Sequence, residues 1–253
     1  MAPLWIVGLG PGPADWMTAE AVAVLDEATD IVGYGPYVER IVLKDGQRAH
    51  GSDNRVEVDR ARAALALALE GRRVAVVSGG DPGVFAMAAA VFEAIEHGDP
   101  AFRTLDVRVA PGVSAMQAAA ARLGAPLGHD FCAISLSDNL KPWPVVARRL
   151  EAAAGADFVI ALYNPASKAR PDQIHDAFAL LRRVKPAETV VVFARAVGRP
   201  DERIVVTTLA EADPALADMS TLVMIGSTET RLIDRADGER AWLYTPRHYG
   251  RER

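Results

Sequence analysis

Cysteine is nearly absent from this 253-residue sequence, in which Cys132 is the single example. A disulfide within the chain is therefore excluded, and the cysteine-rich patterns that bind zinc or iron–sulfur clusters are missing. No apolar run is long enough to cross a bilayer, and the amino terminus leads into a predicted strand without the regions of a signal peptide. These absences predict a cytoplasmic protein with no membrane segment and no resident metal.

A strong excess of charge is also missing, because 28 Lys and Arg residues face 33 Asp and Glu residues, which gives a net charge of −5. No basic block stands out, so a nucleic-acid-binding surface is disfavoured. Half of the residues are hydrophobic and 24% are charged, which is typical of a globular enzyme. A chain of this length has room for one large domain or two modest ones.

The stretch 74–95 is the most informative local pattern. Val74–Ser78 is apolar, β-branched and too short for a helix, and it predicts a buried strand. The apolar stripe of Val84–Ile95, which includes Phe85 and Phe92, predicts a helix packed against the core. A strand that passes through a short turn into a helix is where open α/β sheets bind ligands.

The turn within this stretch has the sequence GGDPG and spans residues 79–83. Gly79 and Gly80 can take backbone conformations that are closed to other residues, and they let a ligand approach the main chain. Asp81 can cap the helix or accept hydrogen bonds from a ligand. A tight connector in which Asp81 is only a cap explains the same residues, so this turn alone leaves both interpretations open.

Two further glycine turns follow predicted strands, at residues 8–13 and 111–117. The first departs from the dinucleotide-binding fingerprint, because its third glycine would fall at Pro13 and no acidic residue ends the next predicted strand. Nicotinamide binding is therefore disfavoured. In the other turn, Ser114 and Gln117 fit a capping box, and an exposed Ser114 hydroxyl beside helix-start amides can bind the polar end of a ligand.

The remaining pattern predicts an alternation of strands and helices. Residues 45–56 are polar and indicate a mobile loop, and Asp59 is the predicted cap of the helix that follows. A helix ends at Gly124, and Ala125–Gly128 indicates a hinge between two domains, 1–124 and 125–253. Further strands are predicted at 4–7, 31–33, 105–110, 131–136, 157–162, 189–194, 203–207 and 221–225, and further helices at 18–27, 60–70, 144–154 and 171–184.

The three glycine turns, in this order and each after a strand, resemble those of the tetrapyrrole (corrin/porphyrin) methylase family. Further blocks carry the resemblance over essentially the whole chain: GYGPYVERI (33–41), SGGDPGVFAMA (78–88), HDFCAISLSDNLKPW (129–143), YNPASKAR (163–170) and DMSTLVMIGS (218–227). The blocks are most similar to those of members that act in cobalamin biosynthesis. One departure is residues 52–54, where the family has small residues and Met.

The resemblance implies an α/β fold of two αβα domains with mixed sheets, and a ligand in the inter-domain cleft. It also implies a homodimer that transfers a methyl group from S-adenosylmethionine to a tetrapyrrole and releases S-adenosylhomocysteine, with neither a nucleic-acid nor a membrane partner. By the family pattern, the methyl donor is bound by Pro11, Gly79, Gly80, Asp81, Val84, Phe85, Ser114, Ala115, Asn164 and Ala194.

The implied reaction also contracts the macrocycle, a step that needs proton transfer. His129 beside Asp130 is the candidate for that transfer, because imidazole exchanges protons near neutral pH; a polar boundary residue is the alternative. Cys132 fits buried packing better than nucleophilic chemistry. The carboxylates of a tetrapyrrole need local cations, and the candidates in or beside loops are Arg55, Arg60, Lys141, Lys168, Arg170 and Arg195, each of which can also be a solvated surface charge.

Two other functions stay open at this point. One is a methylase of the same fold with another acceptor, such as a different corrin carbon, a protein side chain or ribosomal RNA. The other is a non-catalytic module that senses an adenosyl ligand. Turnover on a tetrapyrrole separates the enzyme from the sensor.

Overall fold

Five parallel strands form the first sheet of the computed structural model, which describes residues 2–53, 56–167 and 169–248. The strands are β1 (Leu4–Gly8), β2 (Asp30–Tyr34), β3 (Arg48–Ser52), β4 (Val74–Ser78) and β5 (Val107–Ala110), in the spatial order β3-β2-β4-β1-β5. All neighbouring pairs are parallel. The associated helices are α1 (Ala19–Glu27), α2 (Gly35–Val38), α3 (Glu57–Leu69) and α4 (Met87–His97).

Helices cover both faces of this sheet, which is why β4 is buried at every position and apolar at all but its last residue, Ser78. Leu4 and Ile6 of β1 pack with residues of α3 and α4 on one face. Val7 of the same strand packs with α1 on the other face. Thr18 caps α1, because its hydroxyl accepts a hydrogen bond from the amide of Ala21 at 3.1 Å.

Four predictions for this half are wrong. Helix α4 begins at Met87 and not at Val84, because Phe85 has a φ of 52°, a left-handed conformation that a right-handed helix excludes. Phe85 and Phe92, predicted to face the core, are both 49% exposed. The predicted loop 45–56 contains β3, an edge strand whose residues are mostly exposed and therefore lack the apolar signal of a strand. The residue at the N-cap of α3 is Val56, so Asp59 lies in the first turn and is not the cap.

The second sheet is mixed and contains β7 (Phe131–Ser135), β8 (Val159–Tyr163), β9 (Val190–Arg195), β10 (Arg203–Thr208) and β11 (Thr221–Ile225). The spatial order of these strands is β10-β9-β11-β8-β7. The associated helices are α6 (Trp143–Gly155) and α7 (Gln173–Val184). Strand β7 is parallel to β8, whereas β11 is antiparallel to both β8 and β9. The carboxyl ends of β7, β8 and β9 therefore lie at one edge of this sheet.

The segment predicted as a hinge begins within a small third sheet. Helix α5 (Ala115–Leu123) runs into β6 (Gly124–Ala125), which pairs with β13 (Trp242–Tyr244), and β13 pairs with β12 (Arg231–Ile233). Thr245 donates hydrogen bonds to the carbonyls of Ala125 and Pro126 at 3.0 and 2.6 Å. The segment is thus anchored by the carboxy-terminal strands, which corrects the prediction of a hinge.

The predicted α/β class with mixed sheets is confirmed, with the difference that the first sheet is wholly parallel. The chain divides into two compact units, Met1–Ala115 and Met116–Arg253. This division precedes the domain boundary that the sequence predicts after Gly124. Within the described residues, no helix combines the length and the apolar character that crossing a membrane requires.

Candidate functional site

The three glycine turns of the first unit meet at the carboxyl edge of its sheet. They follow β1, β4 and β5, which are adjacent strands. Gly10 and Gly80 exchange two backbone hydrogen bonds, with N···O distances of 3.2 and 3.1 Å. Backbone hydrogen bonds therefore hold the first two turns against each other.

Glycine is required at the contact between these turns. A Cβ on Gly112 would lie 2.3 Å from the carbonyl oxygen of Gly80, and a Cβ on Gly8 would lie 2.7 Å from the Cα of Gly112. Both distances are far below van der Waals contact, and the atoms met are backbone atoms that cannot rotate away. The absence of side chains here lets three turns pack against one another.

The two glycines of the GGDPG turn have different roles. A Cβ on Gly79 would lie 2.7 Å from the ring of Tyr37, so this glycine makes room for an aromatic side chain. Gly80 has a φ of 70°, and the nearest atoms to an added Cβ are 3.9 Å away. An added Cβ would therefore be in ordinary van der Waals contact with the third turn, and the reason for glycine at this position is the left-handed backbone.

Asp81 joins two of the turns and does not cap α4. One carboxylate oxygen accepts a hydrogen bond from the amide of Gly83 at 2.8 Å, and the other accepts one from Gly112 at 3.0 Å. The residue at the N-cap of α4 is Ala86, which has no side-chain cap. A carboxylate has about four acceptor positions, so Asp81 retains capacity for a ligand donor.

Phe85 presents an aromatic ring beside these turns. Its φ of 52° is unusual for a residue other than glycine, and its side chain is 49% exposed. Strained backbone of this kind persists where the surrounding structure imposes it and is concentrated at functional sites. Val84 beside it is half-buried, so the loop offers an apolar surface at the carboxyl edge of the sheet.

The turn after β1 is fixed by a residue that the sequence reasoning missed. The guanidinium of Arg40 donates hydrogen bonds to the carbonyls of Leu9, Gly10 and Gly12 at 3.1, 3.1 and 2.9 Å. Pro11 lies inside the segment that is held in this way and is half-buried. Arg40 was present in the GYGPYVERI block, but a sequence does not indicate that a guanidinium reaches carbonyls about 30 residues away.

The third turn leads into α5 through Ser114 and Ala115. Ser114 is only 2% exposed, so the prediction of an exposed hydroxyl at this position is wrong. Thr18, the cap of α1, donates a hydrogen bond to the carbonyl of Pro111 at 3.2 Å, which links the start of α1 to the third turn.

In the second unit, Asn164 and Ala194 lie at the same edge of the sheet. Asn164 follows β8 with a φ of 50°, and its side-chain amide donates a hydrogen bond to the hydroxyl of Ser135 at 3.0 Å. Ala194 is buried near the carboxyl end of β9. The structure thus brings these two predicted residues to one edge.

Two of the predicted substrate cations, Lys141 and Arg170, are also at this edge, in the loops after β7 and β8. Arg55 and Lys168 lie outside the described residues. Arg60 is 4% exposed, and its guanidinium donates to Ser52 at 2.8 Å and to the Asp53 carbonyl. It anchors the end of β3, so it is not a surface cation.

Arg195 is neutralised by carboxylates. Its guanidinium contacts Asp201 and Asp218, each at 2.7 Å. The positive charge of Arg195 is therefore already paired with two carboxylates, so Arg195 is a poor candidate for binding a carboxylate of the substrate.

His129 and Cys132 lie away from these residues. His129 precedes β7, at the amino end of a strand of five residues, about 17 Å long. Its Nδ1 accepts a hydrogen bond from the amide of Asp130 at 2.7 Å. The structure therefore places His129 at the edge of the second sheet opposite Asn164, Lys141 and Arg170. Burial raises the pKa of the Cys132 thiol, which agrees with a packing role.

No group of three or more His, Cys, Asp or Glu residues within the described ranges is arranged to hold a metal ion. The chemistry available at the two carboxyl edges is that of backbone amides, an aromatic surface and cations.

Comparison with known proteins agrees with this arrangement. The model of the tetrapyrrole (corrin/porphyrin) methylase family matches residues 3–213. A Sinorhizobium protein named precorrin-3B C(17)-methyltransferase is 58% identical over 246 residues, which are 97% of this chain and 96% of that protein. A Salmonella typhimurium protein named probable cobalt-factor III C(17)-methyltransferase is 40% identical over 97% of this chain and 99% of its own length.

Solved structures give the same result. The crystal structure of the methyltransferase CobJ has a TM-score of 0.92 and 51% identity, covering 97% of this chain and all (100%) of that chain. Uroporphyrin-III C-methyltransferase from Thermus thermophilus, solved in complex with S-adenosylhomocysteine, shares the fold with a TM-score of 0.67 at 22% identity, covering 89% of this chain and 97% of that chain. This chain belongs to the tetrapyrrole (corrin/porphyrin) methylase family.

Proposed function

We propose that this chain is an S-adenosylmethionine-dependent methyltransferase of cobalamin biosynthesis, which methylates precorrin-3B at C-17 and contracts the ring to give precorrin-4. The observation that carries the proposal is the 58% identity, over 97% of the chain, to a relative named precorrin-3B C(17)-methyltransferase. The matched region spans both units and is not confined to the glycine turns.

The turns at the carboxyl edge of the first sheet fit the methyl donor, S-adenosylmethionine. An adenosyl group needs an apolar wall and backbone hydrogen bonds, for which the exposed ring of Phe85 and the backbone of the glycine turns are suited. The amino end of the donor needs an acceptor, for which Asp81 has spare capacity. Pro11, Ser114 and Ala115, and Asn164 and Ala194 of the second unit, are the further predicted donor-binding residues.

The donor brings an electrophilic methyl group on sulfur, so the protein needs mainly to position the two reactants. Fixed orientation of this kind lowers a barrier by up to about 7–11 kcal/mol. Arg40 and Asp81 hold the turns before any ligand arrives, through five hydrogen bonds to backbone atoms. We infer that these two side chains act as positioning residues.

Ring contraction needs proton transfer in addition. His129 stays the predicted proton-transfer residue on chemical grounds, although its distance from Asn164 along the second sheet disfavours a shared site. The inter-domain location of the ligand, the homodimer and the cytoplasmic location likewise stay predictions, as does the expectation of no nucleic-acid or membrane partner.

A second candidate substrate is the cobalt-bearing ring, cobalt-factor III. The observation in its favour is the 40% identity to the Salmonella typhimurium protein named for that activity. The higher identity to the relative named for precorrin-3B makes the metal-free ring the first choice.

The test is to incubate the purified chain with S-adenosylmethionine and either precorrin-3B or cobalt-factor III, and to follow the tetrapyrrole by mass spectrometry. We expect precorrin-3B to gain one methyl group, with equimolar formation of S-adenosylhomocysteine. Methylation of cobalt-factor III alone would establish the second candidate. Calorimetric binding of S-adenosylhomocysteine without turnover on either ring would reject both and favour a sensor.

A further inference from the structure

The guanidinium of Arg170 contains a polar atom with no partner. Its Nη1 is buried, and no described residue accepts a hydrogen bond from it. The backbone of Arg170 is fixed by two hydrogen bonds with Ser167, at 3.0 and 2.9 Å, so the side chain starts from a defined position. A second orphan lies three residues later, since Oε1 of Gln173 is also buried without a partner.

Such orphans are informative because they are uncommon. Nearly all buried polar groups in folded proteins are hydrogen-bonded, and leaving a charged group unpaired costs more than leaving a neutral one. A buried guanidinium nitrogen without a partner is therefore a candidate for a partner that is supplied from outside.

Lys141, whose ammonium group interacts electrostatically with Arg170, is surrounded by more cations than carboxylates. Burial lowers the pKa of Lys141, and the charges of Arg149 and Arg170 lower it further, whereas Asp138 raises it. These groups, as described, comprise three cations and one carboxylate. The carboxylate of Asp138 also accepts a hydrogen bond from Nε2 of Gln173 at 2.9 Å, so it is partly engaged.

The fold brings these side chains to one place. Lys141 lies in the loop after β7, and Arg170 lies in the loop after β8, which is parallel to β7 and hydrogen-bonded to it. Asn164, a predicted donor-binding residue, follows the same strand as Arg170. The cation cluster, defined as Lys141, Arg149 and Arg170, thus has two of its three members at the edge where the second unit presents its predicted site residues, and the third, Arg149, lies on α6.

We propose that the cation cluster binds a peripheral carboxylate of the tetrapyrrole, with Arg170 as the specificity-determining residue that grips it and Lys141 as the second cation. A guanidinium matches a carboxylate with two parallel hydrogen bonds, which Lys cannot reproduce. Asp138 accepts a hydrogen bond from Nε2 of Gln173, which restrains both side chains. The inference rests on the proposed function, because it takes a polycarboxylate ring as the substrate.

The experiment compares Arg170→Gln, Arg170→Lys and the control Arg183→Gln in the full chain. Arg183 is an exposed arginine in the last turn of α7, so its substitution makes the same change in net charge. We expect Arg170→Gln to raise KM for precorrin-3B about 10- to 100-fold, with an unchanged dissociation constant for S-adenosylhomocysteine. Arg170→Lys should recover part of this loss, and Arg183→Gln should match the wild type.

A ligand pair separates failure of this inference from failure of the proposed function. Uroporphyrin, whose side chains are carboxylates, should bind the wild type more tightly than its methyl ester, and Arg170→Gln should remove the difference. Binding that distinguishes acid from ester in the wild type, without methylation of precorrin-3B, would reject the proposed function and support the cluster. Equal KM values, or an equal preference for the acid in wild type and Arg170→Gln, would overturn the inference.

Discussion

The carboxylate of Asp81 accepts a hydrogen bond from the backbone amide of Gly112 at 3.0 Å, across 31 residues of sequence. The same carboxylate accepts a hydrogen bond from Gly83 at 2.8 Å. One side chain therefore sets both the local shape of its own turn and the distance to the next turn. This arrangement makes the geometry of the proposed donor site depend on a single carboxylate.

Replacing Asp81 by Asn tests this dependence. The amide keeps the size of the carboxylate, but it has one acceptor oxygen instead of two, so one of the two backbone amides loses its partner. We expect the affinity for S-adenosylhomocysteine, measured by calorimetry, to fall about tenfold or more. Asp45→Asn is the control, because Asp45 is an exposed residue of the same unit. Equal affinities of the two variants would contradict the positioning role.

Gly112→Ala should disrupt the packing of the turns. The added methyl group would lie 2.3 Å from the carbonyl oxygen of Gly80, and relief requires movement of backbone. We expect the free energy of unfolding to fall by about 1–3 kcal/mol, measured by urea denaturation. Gly35→Ala is the matched control, because no atom lies within 4 Å of a Cβ there. A loss of the same size in both variants would show that the contact between turns is not the cause.

The parts of the fold that the sequence predicted are those encoded by neighbouring residues. Strand β4 was predicted at its observed bounds because four consecutive apolar residues, followed by Ser78, form a short run that is buried on both faces. The capping of α1 by Thr18 is also local, because it joins residues three positions apart. The glycine turns were found for the same reason, since each follows a short apolar run.

The errors arise where the local structure depends on residues that are distant in sequence. The apolar spacing of Val84 and Phe85 continues that of α4. The left-handed backbone of Phe85 nevertheless excludes both residues from the helix, which begins at Met87. The edge strand β3 has no apolar alternation to reveal it. The hydrogen bonds of Arg40 to the first turn connect residues about 30 positions apart, so no local pattern predicted them. Fold class follows from local pattern, whereas the site depends on these long-range contacts.

Phe85→Ala and Phe92→Ala form a matched pair, since each removes a ring that is 49% exposed. Phe85 lies in the loop after β4, beside the turns, whereas Phe92 lies within α4. If the ring of Phe85 forms a wall for the adenosyl group, its removal should weaken binding of S-adenosylhomocysteine about tenfold, and Phe92→Ala should leave binding unchanged. Calorimetry on both variants checks this, and similar dissociation constants would argue against Phe85 as a donor contact.

The amino edge of the first sheet contains an ionic cluster with a different consequence. Asp30 is fully buried, and its carboxylate contacts His50 and Arg72, each at 2.8 Å. Burial by itself raises the pKa of Asp30, but hydrogen bonds from His50 and Thr29 and the charge of Arg72 outweigh that effect. The pKa is therefore held below its ordinary value of 3.8.

The sign of the pH dependence follows from this direction. Because the pKa is lower in the folded chain than in the unfolded chain, the stabilisation by Asp30 is complete above about pH 4. It is lost as the pH falls through the lowered folded-state pKa. Asp30→Asn removes the charge and leaves Arg72 without its carboxylate, so we expect the free energy of unfolding at pH 7 to fall by about 1–3 kcal/mol.

The difference between wild type and Asp30→Asn should then shrink as the pH is lowered below 4, because the wild-type carboxylate becomes protonated and loses the same interaction. Urea denaturation followed by circular dichroism from pH 7 to pH 3 measures this convergence. Asp26→Asn is the control, since the contact of Asp26 with Lys44 is between side chains that are more than half exposed, and such pairs contribute little. A gap between wild type and Asp30→Asn that stays constant over this range would mean that shape and hydrogen bonding at Asp30, and not its charge, stabilise the amino edge.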